Sequence, residues 1–292
     1  MSTPLVTVAM SVHNGTAALR SAIRSLLWQT FSDWELLIVN DASTDSTGEV
    51  LRRFHDPRIR VFIENQQKGL AARLNQCVDH ARGKYVARMD ADDIAYPERF
   101  QRQVQYLDAH PEVDLLGHGV VLFTGEGHVL GTYPTACNHE EICRRQWGGF
   151  PLAHPTWMGK RSWFARCRYD EAMTKGQDQA LLLGSYRSSR FAALPEILLG
   201  YRMEGISAMK SGLGRLNYCR QLLREVDDTS SALTALRGMF THGLAFSRDV
   251  LLDATGTLNQ RSRQSFQVAN DQVRNEWREV WRRVTSEEVA AS

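Results

Sequence analysis

The sequence is short of most signatures that settle a function quickly. Its five cysteines, Cys77, Cys137, Cys143, Cys167 and Cys219, contain no C-x-x-C pair. That argues against a zinc knuckle, and an odd, scattered set in a chain of this length fits a reducing compartment. The nine histidines show no H-E-x-x-H spacing, so a helical zinc site is not indicated. No run of roughly 18 apolar residues occurs, so no membrane-spanning helix is expected. The opening MSTPLVTVAMS lacks a basic n-region and is too short for a signal h-region. The expected location is therefore cytoplasmic, with peripheral contact to the inner face of a membrane as the variant. A net charge of +2 is too small to suggest general nucleic-acid binding, and no nucleic-acid partner is expected. There is no G-x-G-x-x-G after the first strand-like run, no P-loop and no G-x-S-x-G, which speaks against dinucleotide enzymes, P-loop NTPases and α/β-hydrolases.

What is present is alternation. Leu5 to Val12 is a run of β-formers, and Thr16 to Gln29 follows with Leu19, Ile23, Leu26 and Leu27 on one helical face. Glu35 to Val39 reads as a buried strand, Ser46 to Phe54 as a short helix, and Ile59 to Ile63 as a strand. Leu70 to Ala81 reads as a helix and Tyr85 to Met89 as a strand. Pro97 is placed to open a further helix at its first position, with Glu98 in the first turn. This order implies an α/β fold with a mostly parallel sheet, whose strand C-termini share one edge where ligands bind. Beyond it, Val113 to Phe123 and Phe191 to Tyr201 read as strands. From about Gly212 the pattern is helical, and Val273, Trp277, Val280 and Val284 share one helical face flanked by Arg274, Arg278, Arg282 and Arg283. Such a helix suits association with a second subunit or a membrane surface, or simple packing onto the rest of the chain.

The strand ends collect the unusual polar residues. Ser11, His13 and Asn14 close the first strand, and Asn40 and Asp41 the second. The fourth runs as YVARMDADD, placing Asp90, Asp92 and Asp93 within four positions. Unpaired, such acids repel and resist ionisation. Asp90-Ala91-Asp92 has the D-x-D form, and alternation lets both acids face one crevice. Hard carboxylate oxygens there suit Mg²⁺ or Mn²⁺ bridging to substrate phosphates, against the plain reading of a solvated acidic turn. Asp41 lies before the capping residues Ser43 to Asp45 and could accept a hydrogen bond from the N–H of a base. Arg73, in the first turn of its helix, opposes the helix dipole, so an anionic ligand such as a diphosphate would explain it. Asp178, before the apolar Ala180–Leu183 run, is either an N-cap or a general base.

Taken together, these stretches resemble the family 2 glycosyltransferases of GT-A fold. VTVAMSVHNGTAALRSAIRSLLWQTFSDWELLIVNDASTDST is similar to that family's opening block, and NQQKGLAARLNQCVDHARGKYVARMDADD to its second. HPTWMGKRSWF, KGQDQALLL and LPEILLGYRMEGIS resemble its acceptor-side blocks. The resemblance implies a GT-A domain over residues 1–210, with about 1–110 binding a nucleotide-sugar and 111–210 facing the acceptor, followed by a helical region over 211–292. It implies inverting transfer of a sugar, expected from a UDP-sugar, to an acceptor hydroxyl in cell-surface glycan synthesis, assisted by Mn²⁺ or Mg²⁺. The acceptor would be a glycan, lipid-linked or small molecule. By position, Ser11, His13 and Asn14 would line the base pocket, Asp41 would hold the base N–H, and Arg73 would approach the diphosphate. Asp90 and Ala91 would lie against the nucleotide, Asp92, with Asp90, would ligate the metal, and Asp178 would be the base. His13 stands where Tyr is usual, Asn40 where Asp is frequent, and Gln177 where Glu commonly precedes the base. The Q-x-x-R-W motif of processive synthases is missing, which implies one sugar per encounter. Two other readings stay open: a haloacid-dehalogenase-type phosphatase, and a non-catalytic nucleotide-sugar binding homologue.

Overall fold

A computed structural model describes residues 3–133, 135–203, 205, 207–264 and 266–286. Two positions of the last family-like block, Glu204 and Ile206, lie outside the described residues.

The expected alternation is present as β1 (Val6–Val12), α1 (Leu19–Leu27), β2 (Trp34–Asn40), α2 (Thr47–Arg52), β3 (Ile59–Ile63), α3 (Leu70–His80) and β4 (Tyr85–Arg88). Every residue of β2 and β4 is buried, and all but Ser11 of β1, as strands covered on both faces require. These strands lie in the order β3-β2-β1-β4, and all three pairings are parallel. The order reverses direction between β1 and β4. That is the switch point outside whose strand C-termini a crevice forms in open α/β sheets.

Past β4 the sheet departs from the parallel expectation. The next elements are β5 (Ile94–Ala95), α4 (Arg99–Ala109), β6 (Leu115–Phe123), β7 (Val129–Tyr133), α5 (His139–Cys143), β8 (Met158–Lys160), α6 (Arg161–Arg166), α7 (Gln177–Ser185) and β9 (Phe191–Arg202). The short β8 sits between β4 and β6 and runs antiparallel to both. β9 is parallel to β6, while β5 and β7 are antiparallel to β9 and β6. The physical reason is that β8 closes the sheet by returning from a loop rather than through a crossover helix. Pro97 also differs from expectation. It belongs to a turn closed by Arg99 N–H to Tyr96 O, and the helix begins two residues later with Glu98 as N-cap.

The chain ends in α8 (Ala208–Arg224), α9 (Thr229–Ala254), α10 (Leu258–Arg263) and α11 (Asp271–Thr285). α8 and α9 pack as a hairpin, with Gly212 against Phe246 and Gly238 against Leu222. α11 carries the Trp277 stripe, and the structure turns it inward. Trp277, Val280 and Val284 are buried with Ile94, Tyr96, Val121 and Phe123, and Trp277 Nε1–H donates to Gly127 O at 2.8 Å. A Cβ on Gly200 of β9 would stand 2.2 Å from the Trp277 ring, so that strand position is kept bare for the indole. Trp277 is therefore core and not an association face, because the edge of the sheet offers it more apolar surface than water-facing contact would.

Candidate active site

The ends of β1 and β2 are stitched together before any ligand is considered. Asp41 N–H donates to Val12 O, and His13 Nδ1 lies 2.8 Å from Asp41 O. Asn14 adopts a left-handed φ of 54°, which Asn tolerates. Its N–H donates to Ser43 Oγ, and its Oδ1 accepts from Thr44 N–H at 2.9 Å. Asn14 was expected in the base pocket; its amide oxygen instead clamps the β1–α1 loop to the β2–α2 loop. Ser11 and His13 remain at the strand mouth, half-buried and exposed respectively.

Asp41 is buried, and three of its acceptor positions are used. Lys68 N–H and Gly69 N–H donate to it at 2.9 and 2.8 Å, and Arg73 Nε at 2.6 Å. Burial would raise its pKa, but these donors hold it below the usual carboxylate range. Arg73 is itself buried, also meeting Glu64 at 3.3 Å and Gln66 O at 2.5 Å. Among the described residues, the anion that offsets Arg73 at the start of α3 is Asp41.

The acidic strand end is resolved by a residue that the sequence reading passed over. Arg88, the last residue of β4, is buried and forms a two-pronged pair with Asp90, at 2.7 and 2.5 Å. Both Asp90 oxygens are engaged, so Asp90 in this arrangement is no free metal ligand. Asp93 turns into the core, accepting from Arg202 N–H at 2.9 Å while its Oδ2 has no partner among the described residues. Burial, with the Asp90 and Asp92 charges nearby, raises its pKa well above the ordinary value. Asp92, half-buried beside Ala91 in the turn, has no ion pair among the described residues, whereas Asp90 has one with Arg88. Burial and the Asp90 charge push its pKa up to about 6. The sequence offers R-x-D-x-D at this strand end, but β4 stops at Arg88 and the following turn, not strand alternation, decides which acid meets the guanidinium.

Asp178 lies in the first turn of α7, whose N-cap is Gly176 in the left-handed region at φ 74°. Asp178 therefore lies two positions past the N-cap and is not the N-cap itself. Burial raises its pKa, opposed by the local backbone N–H groups and by the Arg88 charge. Arg88 acts electrostatically on Asp178, Asp92, His154, Tyr169 and Tyr201 alike. It thereby marks the point where the β4 end, α7 and the Tyr201 end of β9 converge. His154 lies in a short helical turn, and its Nε2 is 2.8 Å from Tyr169 Oη.

Among the described residues, no three His, Cys, Asp or Glu side chains gather to hold an ion by themselves. Asp92 alone fits a divalent cation, in the manner of Mg²⁺ sites that combine one or two carboxylates with substrate phosphates.

A sheet of order β3-β2-β1-β4, continued by antiparallel strands and bearing a D-x-D turn after β4, defines a glycosyltransferase of GT-A fold. Staphylococcus aureus TarS 1–349, solved in complex with UDP-GlcNAc, is similar with a TM-score of 0.65 over 97% of this chain and 82% of that one, at 16% identity. The family model "Glycosyl transferase family 2" matches residues 7–168, more than half of the chain. The protein belongs to that family. Uncharacterized glycosyltransferase MJ1057 of Methanocaldococcus jannaschii is 32% identical over 210 residues, 70% of this chain and 72% of that protein. The E. coli protein WfgD, named a UDP-Glc:alpha-D-GlcNAc-diphosphoundecaprenol beta-1,3-glucosyltransferase, is 32% identical over 103 residues, 35% of this chain. That match spans 41% of WfgD's own length, and other curated relatives are likewise matched over less than half of theirs. No helix among the described residues is long and apolar enough to cross a membrane.

Proposed function

We propose that the protein transfers one sugar, with inversion, from a UDP-sugar to a hydroxyl of a lipid-linked glycan in cell-surface glycan synthesis. The observation that carries this is the convergence of Asp92, Asp178 and Tyr201 around Arg88. Two carboxylates within the field of one buried guanidinium support a donor-side role for Asp92 and an acceptor-side role for Asp178. The UDP donor is supported by the TarS complex and by the name of WfgD, and the lipid-linked acceptor by the latter.

Asp41, pinned by its own chain, keeps one oxygen lone pair to accept the imide N–H of uracil. A carboxylate accepts and cannot donate, so it favours uracil over a base presenting an acceptor there. Asp92 would hold Mn²⁺ or Mg²⁺, which when bound supplies positive charge to the departing diphosphate. Asp178 takes the proton of the acceptor hydroxyl as its oxygen attacks the anomeric carbon. The bond from that carbon to the diphosphate oxygen breaks on the opposite face, and UDP leaves. The raised pKa of Asp178 makes it a better base than a solvated carboxylate.

A phosphatase reading needs a nucleophilic first Asp, and Asp90 is clasped by Arg88 on both oxygens. Incubation with UDP-GlcNAc, UDP-Glc and UDP-Gal in Mn²⁺ should release UDP, faster with a GlcNAc-diphospholipid acceptor. If none of these sugars binds or releases UDP, the reading is wrong.

A further inference from the structure

The reaction as described leaves one large feature unused. A cavity of about 880 Å³ lies against the first turn of α7 and is walled by residues 144–151 and by the facing sides of α8 and α9. Gly176 and Gln179, which bracket Asp178 in the chain, are part of its wall. Gln179 is held there by hydrogen bonds with the Phe150 backbone at 2.7 and 3.3 Å.

The chemistry of the lining is cationic and unsatisfied. Arg144, Arg145 and Arg215 face it against one acid, Glu141. Arg144 and Arg145 are exposed, and neither pairs with a described acid. Arg215 is tied to Asp249 at 2.6 Å through Nη2, while its buried Nε has no partner among the described residues. His242 is 8% exposed; the Trp147 backbone carbonyl lies near its ring, but neither ring nitrogen makes a well-formed hydrogen bond among the described residues. Burial, with the Arg215 charge, holds its pKa below the usual value, opposed by the Trp147 carbonyl. A neutral imidazole offers one donor and one acceptor. Buried polar atoms left unpaired are costly, and a ligand is one way they are paired. Next to the lining residues in sequence stand Leu213 and Leu216 on α8 and Phe240 and Leu244 on α9, all exposed. The same two helices that wall the cavity thus also carry exposed apolar side chains.

We propose that this cavity binds the diphosphate of a lipid-linked acceptor, with Arg144, Arg145, Arg215 and His242 receiving the phosphates and the exposed face of α8 and α9 receiving the lipid. The inference rests on the transferase reading for the word acceptor, but the anion site stands on its own geometry. Guanidinium groups bind phosphate by paired N–H donors. Because the cavity adjoins Asp178, the hydroxyl that reacts would lie within a short glycan of the diphosphate.

The test uses the full chain saturated with UDP, probed calorimetrically with inorganic pyrophosphate and with farnesyl diphosphate. The wild type should bind one pyrophosphate beyond its UDP, and farnesyl diphosphate about tenfold more tightly, through burial of the chain. The variant Arg144→Ala/Arg145→Ala should weaken both by about tenfold or more, and Arg144→Lys/Arg145→Lys should recover part of that, since charge returns without the fork. His242→Phe, which keeps an aromatic ring, should weaken pyrophosphate as well. UDP affinity checks that each variant is folded. Absence of a second diphosphate on the wild type, or equal binding by the double alanine variant, overturns the site. Equal affinity for the two probes overturns the lipid part. A chain that binds the second diphosphate but transfers no sugar would keep this site and sink the proposed function instead.

Discussion

The proposed donor side and the proposed acceptor side differ in how their polar groups are paired. On the proposed donor side the main charges are locked to one another, Asp41 to Arg73 and Asp90 to Arg88, with Arg88 Nε and Asp93 Oδ2 left unpartnered among the described residues. On the proposed acceptor side polar groups stand open, with Gln177 Oε1, Arg215 Nε and both nitrogens of His242 lacking a well-formed hydrogen bond among the described residues. Locked pairs orient groups before a ligand arrives, which is how sites avoid reorganisation during a reaction. Open groups mark where a ligand must supply the missing partners. One side is therefore preset for a ligand of constant chemistry, and the other is completed by what it binds.

The largest break in this contrast should come from Asp178→Asn. Transfer should fall by roughly 10²–10⁴-fold, because the lost interaction belongs to the transition state. UDP affinity should stay near wild type, and the melting temperature should move little, since only a first-turn charge–dipole contact is lost. A near-normal transfer rate would place the base elsewhere.

Arg88→Met tests the locked side. Removing one partner of a buried pair costs about 3–5 kcal/mol, and the partial exposure of Asp90 should bring this to the lower end. Urea unfolding should read the loss, and UDP affinity should fall with it as Asp90 swings free. Unchanged stability would mean that the pair is only a surface contact.

Asp41→Asn sharpens the same point. UDP affinity should drop by about 1.5–3 kcal/mol, the range for a hydrogen bond to a charged group. If the UDP dissociation constant stays put while stability falls, Asp41 serves Arg73 and the Lys68–Gly69 turn alone.

The smallest effect is in pH. Asp92, with its pKa near 6, must be ionised to ligate a cation. Ion-dependent UDP-sugar affinity should therefore weaken up to about tenfold per unit as pH falls below about 6. The ligand-free fold should behave oppositely. Its Asp92 holds a proton more tightly than the unfolded chain does, so that group's contribution to stability is lost as pH rises from about 4 to about 6. Asp92→Asn should remove both dependences, and a variant that keeps the pH profile would assign it to another group.

Much of the fold was legible because its signals are local. The apolar runs of β1 and β2 and the periodicity of α1 and α3 follow from periods of two and 3.6 that any window of the chain displays. Asp178 and the D-x-D turn could be singled out as polar residues at element ends. What local pattern could not show was pairing. Arg88 and Asp90 are two residues apart, yet only the turn after β4 brings the guanidinium back onto the carboxylate. Arg73 looked like a cation in need of a ligand because Asp41, 32 positions earlier, is invisible from α3.

The Trp277 stripe makes the same case from the other end of the chain. The sequence by itself determined that this helix has one apolar face, that four strands alternate with helices, and that acids gather at a strand end. Whether the apolar face met water, a membrane or the core was decided only by the tertiary structure, through the bare Gly200 position and the rings of Phe123 and Tyr96. The same holds for the acids: one was paired with Arg88, one buried in the core, and one left half-exposed in the turn. Hydrophobic periodicity is a property of neighbours along the chain, whereas burial and charge compensation depend on neighbours in space.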